Sequence, residues 1–335
     1  MINIYVETKI YVLAPAGYKT GGTELLHQLV YKLNQFGYDA YIAYFGIKSG
    51  TACLNKSFKK YVKDYLQWED IEDSEKNVLI LPEMSIHRAI KFKHIRYAIW
   101  WLSVNNCESF FSIRYLKMAG LCKCIANIVQ GRFFVSKKNL LHAELNMCQS
   151  YYAIQFLNEL KIQNTTYLSD YLNDEFINNS ISKTVFKENI VLYNPKKGYS
   201  FTKKIIQSSS DLNWIPLTNM STEEICQNLM MGKVYIDFGS HPGKDRFPRE
   251  AAICGCCIIT GKKGSASFYE DVMIENKYKF SDTSDSIDDI IKMIRYCLST
   301  YEECYKDFEK YRKAILDEEI RFENDIKRIF VKKGN

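Results

Sequence analysis

Apolar residues recur along this chain in two alternating rhythms. Short continuous runs of the kind that form buried strands alternate with longer stretches spaced three and four residues apart. KIYVLAPAG (9–17) leads through YKTGGTE into a stretch, 24–36, where Leu25, Leu26, Leu29, Val30 and Leu33 share one helical face. Thr23 is its expected N-cap, Glu24 complements the positive helix end and Gly37 is its expected C′ residue. A strand follows at 38–45. A β–loop–α–β unit of this kind implies a right-handed crossover and a parallel sheet.

The rhythm continues with strand candidates at 77–81, 97–104, 132–135 and 151–156. A second series starts at 190. It runs IVLYNP, a helix near 201–209, WIPLT (214–218), a helix near 222–231, KVYIDFG (233–239), a helix from 247, CCIIT (256–260) and a helix near 287–298. Two such series predict two doubly wound α/β domains, the first over 1–180 and the second over 181–305. The join is expected within 170–187, where YLNDEFINNSISKT is polar and lacks a buried run. Phe308, Tyr311, Ile315, Phe322, Ile326 and Phe330 then mark one or two amphipathic helices over 306–335, expected to pack across both domains.

Length and charge fit this picture. A chain of 335 residues exceeds what one core usually organises. Its 45 Lys and Arg against 39 Asp and Glu leave a net charge of +6, suited to anionic small molecules or an anionic membrane surface. That excess is too dilute for a dedicated nucleic-acid binder, so no nucleic-acid partner is expected. No apolar run approaches the ~18 residues of a membrane span, and the N-terminus reads as a strand rather than a signal peptide. The expected location is cytoplasmic, with peripheral membrane contact open. Eleven cysteines in such a chain read as small reduced hydrophobes.

Candidate chemistry concentrates in DFGSHPGKDRFPREAAICGCCIITGKKGSA, 237–266. His241, Gly243, Lys244, Asp245 and Arg246 follow a strand end, and Arg249 and Glu250 lie on the next helix. Gly264 and Ser265 belong to a second Gly-rich basic turn. VLYNPKKG adds Lys196 and Lys197 at a third strand end. Cations, flexible backbone and helix N-termini at adjacent strand ends make an anion site. Glu83, just after the strand in ILPEMSIH, is a candidate base, with His87 and His94 behind it. Other signatures fail: no G-x-G-x-x-G, phosphate-loop spacing, H-E-x-x-H, G-x-S-x-G or Asp-x-Asp occurs. Cys254 and Cys257 have no partner pair at zinc spacing.

GKDRFPREAAICGCCIITG resembles the GFGLPLLEAMACGCPVI-type signature of GT-B glycosyltransferases, and APAGYKTGGTELLHQLVYKLNQFGYDAYI resembles the Gly-Gly loop and first helix of their N-terminal domain. IDFGSHPGKDRFPREAA is also similar to a subgroup of sugar transferases, of family-4-like type, from bacterial capsule and O-antigen clusters. The resemblance implies two facing Rossmann-like domains, a nucleoside-diphosphate-sugar donor and a glycan or lipid-linked acceptor. It implies that Glu250 binds the donor ribose, that Gly21 and Gly22 line the crevice, and that Lys196 and Lys197 approach the diphosphate. The family's first glutamate corresponds to Pro242 here, so Asp245 is the candidate substitute and the stereochemical course stays open. Lysine and arginine would take a metal's part, so neither metal nor cofactor is expected. A non-catalytic nucleotide-sugar or glycan binder with the same fold is the alternative.

Overall fold

The computed structural model describes residues 1–47, 52–107, 120–122, 125–126, 137–182 and 186–334. They divide into two compact units: Met1–Asp170 with Arg321–Asn335, and Tyr171–Ile320. The strand expected at 132–135 lies outside the described residues.

In the first unit, β1 (Ile2–Ile4) and β2 (Lys9–Pro15) precede α1 (Gly21–Gln35) and β3 (Asp39–Phe45). Then come β4 (Leu66–Gln67), β5 (Val78–Pro82), a 3-10 segment (Glu83–Lys91) and β6 (Arg96–Trp101). Next are α2 (Lys137–His142), β7 (Leu145–Cys148), α3 (Tyr151–Glu159) and β8 (Thr165–Tyr167). Seven strands pair in parallel in the order β4-β3-β2-β5-β6-β7-β8. Every residue of β5 is buried, as expected of a central strand covered on both faces. Successive side chains of a strand point to opposite faces. Accordingly Trp100 stacks on Phe322 at 6.1 Å and Trp101 packs on Phe156 at 5.6 Å.

Two local expectations give way here. The run 151–156 is helical, because Ser150 caps it by accepting from Ala153 N at 3.1 Å, and Ala153, Phe156 and Leu157 then fall on one buried face. The strand is the preceding LNMC. The N-cap of α1 is Thr20 rather than Thr23, and the two threonines form a reciprocal capping box.

The second unit contains α4 (Asp174–Ser182), β9 (Glu188–Tyr193), α5 (Tyr199–Gln207), β10 (Asn213–Pro216), α6 (Thr222–Met231) and β11 (Gly232–Asp237). It continues with α7 (Arg246–Ile253), β12 (Cys257–Thr260), α8 (Ile287–Ser299), α9 (Tyr301–Asp307) and α10 (Glu309–Leu316). Its four parallel strands run β10-β9-β11-β12. The buried cysteines 226, 254, 256, 257, 297 and 304 all belong to its apolar core. Finally α11 (Glu318–Ile329) begins in this unit and continues into the first, where β13 (Phe330–Lys332) pairs in parallel with β1. Phe322, Ile326, Ile329 and Phe330 are the buried face of that return. No helix of the described residues is long and apolar enough to cross a membrane.

Lys187 ties two helix ends of the second unit together. Its ammonium donates to the carbonyls of Leu229 (3.0 Å), Gly232 (2.8 Å) and Cys254 (2.8 Å), at the C-termini of α6 and α7. A cation there satisfies carbonyls that the helices leave open and complements both dipoles. Lys187→Met keeps the apolar stem and is expected to cost about 2 kcal/mol of stability in urea unfolding. An unchanged midpoint would show that water replaces the ammonium without loss.

Candidate functional site

Both sheets have a point where the strand order reverses, between β2 and β5 in the first unit and between β9 and β11 in the second. Loops leaving such neighbours go to opposite faces, and the gap beyond their C-terminal ends is where open α/β sheets bind ligands.

In the second unit that gap is a pocket of about 350 Å³ lined by Lys196, Lys197, Ser200, Phe238, Ser240 and Lys263, among others. After β9 the Asn194 carboxamide oxygen accepts from Lys196 N at 3.0 Å, folding the chain into a turn. Gly198 then enters α5 with φ +62, and a Cβ there would lie 2.2 Å from the Phe238 carbonyl oxygen. No side chain caps α5, so its positive end faces this loop without a built-in acceptor. Lys196 is exposed and makes no ion pair among the described residues. Lys197 Nζ lies 2.8 Å from Asp245 Oδ2, and Lys263 pairs with Asp282.

The turn after β12 braces the turn after β11. A Cβ on Gly264 would meet the His241 carbonyl oxygen at 2.1 Å, Ser265 N donates to that carbonyl (2.9 Å), and Ser265 Oγ donates to Gly243 O (2.6 Å). Gly243, Gly264 and Ser265 are therefore parts of the frame. Behind the pocket His241 is wholly buried between Asp237 and Asp245. Burial alone would lower its pKa, but the two carboxylates outweigh it and raise the value to about 10. The Asp245 carboxyl, which burial would raise, is held below its usual range by His241 and Lys197.

Lys244 and Arg249 point elsewhere. Both pair with the buried Glu318 at the start of α11, Lys244 Nζ at 2.7 Å and Arg249 Nη1 at 2.8 Å. Arg249 Nη2 also donates to the Lys244 carbonyl at 3.1 Å. These two cations fasten the loop to α7, and neither lines the pocket. Arg246 opens α7, and Glu250 is buried one turn further on. Sequence reasoning missed Glu318, which reads as one acid among many in a charged tail. It also missed Ser200, Phe238 and Ser240, although the Lys-Gly before an uncapped helix was a signal for the first.

In the first unit, Gly21 and Gly22 open α1 after β2. Glu83 follows β5 and is enclosed, its Oε2 accepting from Leu102 N at 2.9 Å beyond the end of β6. Burial raises its pKa to about 7, against the backbone donors that favour the carboxylate. The backbone N–H of His94 donates to Asp73 Oδ1 at 2.9 Å, while Trp100 and Trp101 are core residues bonded through their indole N–H to Leu168 O and Asn146 Oδ1. Asn105 accepts from Tyr152 OH at 3.0 Å. An unanticipated buried histidine, His27, lies between Thr23 O and Tyr44 OH, and burial lowers its pKa to about 4.

No known protein-family profile matches the chain. No curated protein matches it in sequence. Its fold does match solved structures. HepE of Anabaena, solved with UDP-glucose, superposes with a TM-score of 0.60 at 12% identity, covering 96% of this chain and 98% of that one. Sucrose-phosphate synthase of Thermosynechococcus elongatus gives 0.63 at 10% identity, covering 96% and 98%. WaaG, a glycosyltransferase involved in lipopolysaccharide biosynthesis, gives 0.56 at 10% identity, covering 95% and 99%. The fold is therefore GT-B, an α/β architecture of two parallel-sheet units with a helical C-terminal segment.

The enclosed Glu83 carries a pH signature. A carboxyl with a raised folded pKa favours the protonated folded state, so its penalty is absent below the unfolded value of 4.5 and complete above about 7. Glu83→Gln keeps an acceptor for Leu102 N and removes the ionisable proton. The variant is expected to gain on wild type as pH rises from 4.5 to 7, by up to about 3 kcal/mol. Parallel stability–pH curves would show that Glu83 does not bear this penalty.

Proposed function

We propose that the chain is a glycosyltransferase that moves a sugar from a nucleoside-diphosphate donor to a glycan or lipid-linked acceptor. The observation that carries this reading is the pocket at the β9/β11 reversal, where Lys196, Lys197, Lys263 and the uncapped end of α5 converge. Lys197 and Lys263 are each held by an aspartate, Asp245 and Asp282, while Lys196 makes no ion pair among the described residues, and together with the helix end they offer a setting suited to a diphosphate. The UDP-glucose in the HepE structure supports the donor class, and the involvement of WaaG in lipopolysaccharide biosynthesis supports a surface-polysaccharide acceptor.

In this reading the acceptor oxygen forms a bond to the anomeric carbon as the bond from that carbon to the diphosphate oxygen breaks. The leaving nucleoside diphosphate takes the electron pair, and the acceptor proton passes to a base. The lysines and helix end stabilise the charge that grows on the leaving group, which is the largest service such a site performs. They do so in place of a metal. Glu250 is assigned to the donor ribose, and Gly21 and Gly22 to the crevice near the diphosphate or acceptor. Glu83 is the proton acceptor, since burial brings its carboxyl to the range a general base needs. Peripheral attachment to a membrane would bring a lipid-linked acceptor within reach. Pro242, at the position where the resembling GT-B signature carries its first glutamate, favours a second reading in which the donor is bound without turnover.

A thermal-shift screen against UDP-, GDP-, ADP- and CMP-sugars tests the donor claim. A cognate donor at about a hundred times its Kd should stabilise the fold by about 3 kcal/mol, and Lys197→Ala should weaken that donor about ten-fold or more. No response to any donor would refute the reading. Binding without transfer across an acceptor panel would favour the second one.

A further inference from the structure

Four ionisable side chains are wired together behind the pocket of the second unit. Asp237 ends β11, His241 and Asp245 follow on the same loop, and Lys197 comes from the loop after β9. His241 Nδ1 is 3.1 Å from Asp245 Oδ2, and His241 Nε2 is 3.4 Å from Asp237 Oδ1. Lys197 Nζ is 2.8 Å from the same Asp245 oxygen. Of the four only Lys197 lines the pocket.

The charge count decides what this cluster does to an anion. Two carboxylates facing a single ammonium would leave a net charge of −1 directly behind the place where a diphosphate has to sit. A protonated imidazole brings the cluster to neutrality, and the surrounding carboxylates hold it in that form. Lys263 is already paired with Asp282, which also lines the pocket, so the field there is set by Lys196 and the end of α5.

We infer that His241 is a positioning residue whose imidazolium cancels the Asp237–Asp245 pair, so that Lys197 is offered to the donor's diphosphate instead of being consumed by the carboxylates. The role rests on the nucleotide-sugar reading and gives the buried His241 charge balance rather than contact with the ligand. Asp245 becomes one of the two carboxylates that the imidazolium offsets rather than a catalytic carboxylate.

Asp237, His241 and Asp245 also have ligand atoms within 4.8 Å of one another, the spacing of a metal site. The donors already present argue for the ion-pair wiring. Asp237 Oδ1 accepts from Gly239 N at 2.9 Å and its Oδ2 from Tyr235 OH at 3.0 Å, while Asp245 Oδ2 holds Lys197. A divalent ion would have to displace the Lys197 ammonium from Asp245.

Calorimetry with inorganic pyrophosphate, which removes the nucleoside from the question, separates these roles. His241→Gln should weaken pyrophosphate about ten-fold or more. The double variant His241→Gln with Asp245→Asn restores neutrality and should recover most of that loss, which a purely structural histidine would not permit. Asp245→Asn alone should bind at least as tightly as wild type, and it tests the inference even where His241→Gln fails to fold. The inference is overturned by unchanged binding in His241→Gln, by no recovery in the double variant, by weaker binding in Asp245→Asn, or by wild-type binding that chelator abolishes. Wild type that binds neither pyrophosphate nor any nucleotide sugar instead defeats the underlying donor reading.

Discussion

The contact in the second unit between the backbone at Gly198 and the carbonyl of Phe238 governs the arrangement of everything around it. Only a hydrogen fits there, since a Cβ would lie 2.2 Å from that oxygen, and the backbone is left-handed at φ +62. The contact locks the turn after β9 against the turn after β11, the two strands where the sheet order reverses. Gly264 repeats the device one strand further on, against the His241 carbonyl. Three strand ends therefore interlock through close backbone contacts at two glycines. Side chains on those turns, Lys196, Lys197, Ser240 and Lys263, are left to line the space between them.

Charge placement follows the same economy. Lys263–Asp282 is largely exposed on the lysine side, and pairs of that kind contribute at most about 1 kcal/mol. The Lys244–Glu318–Arg249 group is different, because removing one partner from a buried ion pair costs about 3–5 kcal/mol. Those two cations are committed to holding the loop. The division of labour is between buried charges that build the frame and half-exposed lysines that face the pocket.

Much of the architecture was legible because parallel strands covered on both faces read as continuous apolar runs. β5, β9, β11 and β12 were visible on that basis. The segment 151–159 was not, since its three aromatic residues and Ile154 look like a strand until the Ser150 cap is seen to start a helix. β13 was hidden because three residues at the end of an amphipathic tail carry no period, and only the pairing with β1 makes them a strand. Of the site, the cationic loops were legible and their partners were not. Composition near 237–266 shows a concentration of glycines and cations, but whether Arg249 meets solvent or Glu318, 69 residues away, depends on long-range packing.

The proposal that the pocket between the β9 and β11 loops holds the diphosphate is tested most directly by determining the structure of the full chain with pyrophosphate bound. Phosphate oxygens are expected within hydrogen-bonding distance of Lys197 Nζ and of the backbone N–H groups that open α5. Pyrophosphate ordered elsewhere on the chain, with the Lys197–Asp245 pair untouched and this pocket empty, would contradict it.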